Sequence, residues 1–169
     1  KAESTRKALA LLPELEHRII ESPDPLDTAV RLSIAGNIID FGVKETHADL
    51  EETVERVLRQ PLSVDHLPEL KNRLEHVEQG LYLADNAGET VFDRLLIREL
   101  SIPIIYVVKG GPILNDAVQE DALAAGLEGE VQEIIDNGSR APGTVLSLCS
   151  EEFRTRYEEA SLVIAKGQG

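Results

Sequence analysis

Apolar residues at Ala8, Leu11, Leu12, Leu15, Ile19 and Ile20 recur at helical spacing, which predicts a helix over residues 4–22. Pro13 would kink or restart it, and Pro23-Asp24-Pro25 breaks it. Residues 27–40 repeat the pattern with Ala29, Val30, Ile34, Ile38 and Ile39 on one face, and Gly42 suits a C-cap. Residues 49–58 and 67–78 read as two shorter amphipathic helices. From Gly80 onward the period changes. Strand-like apolar runs at 81–84, 104–108, 130–135 and 162–165 alternate with helical periods at 89–100, 115–125 and 151–160. Strands separated by helices predict an α/β chain with a doubly wound, mostly parallel Rossmann-like sheet. The expected organisation is a helical part over residues 1–79 packed on an α/β part over 80–169, an α/β/α sandwich forming one compact unit.

Two of these strands end in polar side chains. Leu81-Tyr82-Leu83-Ala84 stops at Asp85-Asn86 and passes through Ala87-Gly88-Glu89 into a helix, so a carboxylate and a carboxamide reach the carboxyl edge of the sheet. Open α/β folds bind their ligands at that edge. The next strand ends in Lys109-Gly110-Gly111-Pro112 and leads to Asn115-Asp116. One crevice is thereby offered Asp85, Asn86, Lys109, Asn115 and Asp116, an oxygen-rich set that suits Mg²⁺ or Mn²⁺ better than zinc. Asp and Asn are also favoured helix N-caps, and capping is the competing account of Asp85 and Asn86 taken alone. Asn37 lies among apolar neighbours, where it needs either an interhelical hydrogen bond or a ligand. Lys109 and Lys166 each follow a strand and precede glycine, as a solvated edge residue would, or as a phosphate holder would.

Composition narrows the partners. A formal charge of −14 argues against nucleic acid and anionic membranes, which bind basic patches. With 42% hydrophobic residues the chain can bury a real core. Cys149 is the single cysteine, which leaves no intramolecular disulfide and makes a reducing, cytoplasmic compartment the expectation. It reads as a small buried hydrophobe. No apolar run approaches the roughly 20 residues of a membrane span. His17, His47, His66 and His76 lack zinc-like spacing and fall outside the motifs. Gly110-Gly111-Pro112 has the spacing of neither a Walker A loop nor a dinucleotide fingerprint, against nucleotide triphosphatase and nicotinamide readings.

Four strings in order, AGNIID (Ala35 to Asp40), LADNAGE (Leu83 to Glu89), GGPILND (Gly110 to Asp116) and IAKGQG (Ile164 to Gly169), resemble the damage-control metal-dependent phosphatases, domain of unknown function 89, in its microbial stand-alone branch. The resemblance runs from about Pro25 to the last residue. It implies a divalent-metal-dependent phosphatase that hydrolyses phosphate monoesters of small metabolites, sugar phosphates or damaged phosphometabolites. It further implies one Mg, Mn, Co or Ni ion on Asp85, Asn86 and Asp116, with Asp85 and Asp116 catalytic. Asn37 would line the substrate pocket, with Asp40 a weaker candidate, and Lys166, seconded by Lys109, would contact the phosphate. Water is the expected nucleophile in preference to a carboxylate already committed to metal. Family members carry a helical segment before this start and further sheet and helix after the KGQG string, so the chain reads as a fragment of a longer one. A non-catalytic metal- and phosphometabolite-binding module is the alternative, and a methyltransferase-like domain has only the fold in its favour.

Overall fold

The computed structural model describes residues 1–38 and 47–167. Among them, β1 (Gly80–Leu83), β2 (Ile104–Val108), β3 (Glu133–Asp136) and β4 (Val163–Ala165) form one all-parallel sheet in the order β3-β2-β1-β4. Four helices, α1 (Ala2–Ile20), α2 (Pro25–Ile38), α3 (His47–Arg59) and α4 (Leu67–Leu74), precede β1. The crossovers are α5 (Thr90–Leu100), α6 (Gln119–Ala124) and α7 (Glu151–Glu159). The expected α/β class is the observed one.

Successive strand residues face opposite sides of a sheet. Tyr82, Ala84, Ile104, Tyr106 and Val108 point to a core shared with α1, α2 and α5, whereas Leu81, Leu83, Ile105 and Val107 meet Cys149 and Phe153 on the other side. Burial on both faces explains why β1 and β2 are apolar without alternation. Cys149 packs as a hydrophobe, and burial pushes its thiol above the usual value. No helix among the described residues is long and apolar enough to cross a membrane.

Several boundaries differ from the sequence reading. Pro13 lies inside α1 without ending it. α4 stops at Leu74 rather than at residue 78; none of its side chains is fully buried, so packing does little to reward another turn. β3 begins at Glu133 because Leu127–Gly129 forms a 3₁₀ turn and Glu130 is drawn to Arg94 and Arg98. α6 begins at Gln119, four residues late, because the backbone of 115–117 bonds to the end of β1. Asp40 and the Gly42 cap lie outside the described residues.

Where α2 crosses α5, glycine is required. A Cβ on Gly36 would lie 2.7 Å from Cγ of Phe92, a fully buried ring. Gly36→Ala is expected to cost about 1–3 kcal/mol through overpacking, read as a lower urea midpoint. An unchanged midpoint would mean that the two helices do not meet there.

Candidate active site

β2 lies on one side of β1 and β4 on the other, so the carboxyl ends of β1 and β4 flank the point where the winding reverses. A crevice opens at such a point. β1 carries the chain into it at Asp85 and Asn86, and β4 delivers Lys166 and Gly167. Gly167 is in the left-handed region, with φ +52°, and a Cβ there would fall 1.8 Å from Asp85 Oδ2 and 3.3 Å from Asn37 Nδ2. Asp85, Asn37 and Gly167 are thus brought together from three elements.

Asp116 arrives by backbone pairing. Ala87 N–H donates to Asn115 O at 2.8 Å, Ala117 N–H donates to Asp85 O at 2.7 Å, and Asn86 and Asp116 form an antiparallel bridge. The turn before it passes through Leu114 at φ 46°, a conformation a bulky residue rarely adopts. Lys109 is buried, with Nζ donating to Gly143 O at 2.6 Å and lying 3.6 Å from Asp116 Oδ2. Asn115 contributes its backbone, and its side chain is exposed.

Capping does not explain Asn86. It precedes the 3₁₀ turn Ala87–Glu89, but its side chain makes no cap bond. Its Nδ2 donates instead to Glu89 Oε1 at 2.7 Å and faces Asp85 Oδ2 at 3.3 Å. Asn37, near the described end of α2, donates to the same Glu89 oxygen at 3.0 Å.

Lys166 is held in a buried acid cluster. Its Nζ donates to Glu89 Oε2 at 2.9 Å, Ser33 O at 2.9 Å and Asp93 Oδ1 at 3.3 Å, which uses all three of its hydrogens. Asp93 also accepts from Tyr82 Oη at 2.7 Å and Tyr106 Oη at 2.6 Å. Burial would lower the ammonium's pKa, but the Asp93 and Glu89 carboxylates outweigh it and hold Lys166 above its ordinary value. Burial raises Asp93, with Lys166 and the two tyrosine hydroxyls pulling the other way. Both tyrosines are pushed well up, first by burial and then by the Asp93 charge, so they stay protonated donors.

Glu89 and Asp93 were not singled out in the sequence. A signal was present: Asp93 sits between Val91-Phe92 and Leu95-Leu96, on the apolar stripe of α5. Tyr82 and Tyr106, paired in register across β1 and β2, bring two hydroxyls to it.

The family profile of the damage-control phosphatase ARMT1-like domain matches residues 1–169. The chain belongs to that family. It is 44% identical over 147 residues to a damage-control phosphatase of Pyrococcus horikoshii, covering 85% of this chain and 51% of the relative. A damage-control phosphatase of Archaeoglobus fulgidus is 36% identical over 175 residues, covering 99% of this chain and 59% of that one. The crystal structure of a domain-of-unknown-function-89 protein from Pyrococcus horikoshii superposes with a TM-score of 0.88 at 36% identity, over 98% of this chain and 58% of that one. The chain spans about half the length of the curated relatives it matches.

In this ARMT1-like domain the donor set suits a hard divalent cation. Asp85, Asn86 and Asp116 would supply oxygens only, because both Nδ2 hydrogens of Asn86 are directed at carboxylates and, among the described residues, nothing donates to its Oδ1. Among the described residues no three His, Cys, Asp or Glu side chains converge as a metal cage, so a cation here would rest on two carboxylates and one amide. Beside Asn37, Lys166 and Gly167 lies a cavity of about 300 Å³, walled by Val30, Ile34, Leu70, Leu96 and Ile164. Its size is that of a small-metabolite pocket. A larger cleft of about 640 Å³ adjoins it through Val30, Ile34 and Leu70 but carries none of the candidate side chains, so the chemistry favours the smaller one.

Proposed function

We propose that this ARMT1-like domain forms the core of a divalent-metal-dependent phosphatase for phosphate monoesters of small metabolites. The observation that supports the reading is the backbone bridge that pairs Asn86 with Asp116, next to Asp85, at the carboxyl edge. These three would hold one Mg²⁺, Mn²⁺, Co²⁺ or Ni²⁺ ion. When bound, such an ion neutralises the phosphoryl oxygens as charge builds on them. Asp85 and Asp116 are the proposed catalytic residues. Asn37 has one N–H committed to Glu89 and a second that no described residue accepts, which would be offered to a phosphate or hydroxyl oxygen. Lys109 adds positive charge on the Asp116 side. Lys166 contributes its field from within the acid cluster, and direct contact with phosphate would require it to exchange one acceptor for another. The apolar wall from α2 and α4 would choose among leaving groups.

The test is hydrolysis of an aryl phosphate and a panel of sugar phosphates, with and without Mn²⁺, beside Asp116→Ala. Loss of a ligand that stabilises the transition state by several kcal/mol should lower metal-dependent turnover by more than about 10²-fold. Turnover that ignores added metal, or survives Asp116→Ala, would overturn the assignment. Metal binding without turnover would mark a binding module instead.

A further inference from the structure

Glu89 joins Asn86, Asn37 and Lys166 at one buried carboxylate. Its side chain is 2% exposed, and its two oxygens have separate tasks. Oε1 accepts from Asn86 at 2.7 Å and from Asn37 at 3.0 Å, and Oε2 accepts from Lys166 at 2.9 Å. A carboxylate has no hydrogen to give, so the end of each amide that faces it must be the NH₂ end. Fixing that end fixes the direction of the carbonyl. The second hydrogen of Asn86 is directed at Asp85, so its Oδ1 is turned away from both carboxylates. Lys166, itself buried, sets its ammonium 2.9 Å from Oε2 and so offsets the cost of burying the Glu89 carboxylate.

We propose that Glu89 is a positioning residue that orients the Asn86 amide so that its oxygen, and not its nitrogen, is offered to the metal ion, while tying Asn37 of α2 to the same point. The inference rests on the metal reading of Asp85, Asn86 and Asp116 and refines it. Outer partners of metal ligands commonly account for about 10- to 100-fold in metal affinity. Here the partner lies three residues beyond the ligand and serves two amides, one just past β1 and one on α2.

Glu89→Gln keeps the shape but gives the side chain one donor end. Whichever way it turns, a donor meets either Lys166 or the two asparagines. Two readouts follow. In the metal-free chain, the side-chain NH₂ resonances of Asn86 and Asn37 should shift, and their hydrogens should exchange faster. Mn²⁺ affinity, followed by electron paramagnetic resonance, should fall about 10- to 100-fold while circular dichroism stays unchanged.

The deciding comparison repeats Glu89→Gln in an Asn86→Asp background. There the amide introduced at position 89 can donate to the carboxylate introduced at position 86, and Asn37 can turn its oxygen to the same amide, so polarity is reversed but complementarity restored. The substitution should then leave Mn²⁺ affinity within about threefold, a non-additivity that marks direct coupling. An equal loss in both backgrounds, or unmoved amide resonances, would overturn the positioning role and leave Glu89 as a counter-ion of Lys166. Failure of the metal reading is seen separately: the wild-type chain would bind no Mn²⁺, or binding would survive Asp116→Ala.

Discussion

Lys166→Met should destabilise the fold by about 3–5 kcal/mol, the usual cost of removing one partner from a buried ion pair. Asp93 is fully buried and Glu89 2% exposed, and Lys166 donates to both. Methionine fills much of the same volume but leaves two carboxylates with no cation. Total stabilities of about 5–15 kcal/mol make this a large fraction, so the urea midpoint should drop steeply. Adding Asp93→Asn should recover part of the loss, since one uncompensated charge goes. A loss below about 1 kcal/mol would show that the cluster is not buried as described. The same pair sets an alkaline limit. The folded state holds the Lys166 proton more tightly than the unfolded chain does, so its contribution is complete below the ordinary lysine value of about 10.4. It is lost as pH rises through the higher folded value.

Gly167→Ala should abolish metal-dependent turnover while leaving the fold largely in place. The new methyl would lie 1.8 Å from Oδ2 and 2.7 Å from Cγ of Asp85, so the carboxylate has to move. Misplacing a reacting group by about 1 Å can cost about 10²-fold, and the loss expected here is at least that. The backbone at φ +52° adds about 1–2 kcal/mol of strain for any residue with a Cβ. Gly129→Ala is the matched control, because its Cβ would meet nothing within 4 Å. Equal activity in the two variants would remove Asp85 from the site.

What the sequence revealed follows from the range of the forces that act. β2 was readable to the residue, because a five-residue run buried on both faces needs no long-range information. The start of α6 was not, since the backbone of 115–117 is diverted by bonds to a strand end some thirty residues earlier, which periodicity does not record. The pattern of polar residues at and after two apolar strands offered Asp85, Asn86, Lys109, Asn115 and Asp116 as candidates, and the family resemblance, not the pattern, singles out Asp85, Asn86 and Asp116 among them. Asp93 interrupts the apolar stripe of α5 and Glu89 stands in the turn before it, and only the fold shows that both carboxylates meet Lys166. Lys166 reads from the sequence as an edge lysine or a phosphate holder, not as a buried ion-pair partner, because Glu89 is separated from it by 77 positions along the chain.

The acid cluster also bears on the order of assembly. Tyr82 and Tyr106 stack with ring centroids 5.4 Å apart and give both hydroxyls to Asp93, so β1, α5 and β2 can close around that carboxylate by local contacts alone. The neutralising cation is not in that unit; it comes on β4, the final strand of the described sheet. An early β1-α5-β2 nucleus therefore has to keep the Glu89 and Asp93 side chains hydrated until β4 docks. Expulsion of water from beneath the crevice and pairing of the last strand become one cooperative event, and a chain caught before it would carry a wet, open floor where the cluster belongs.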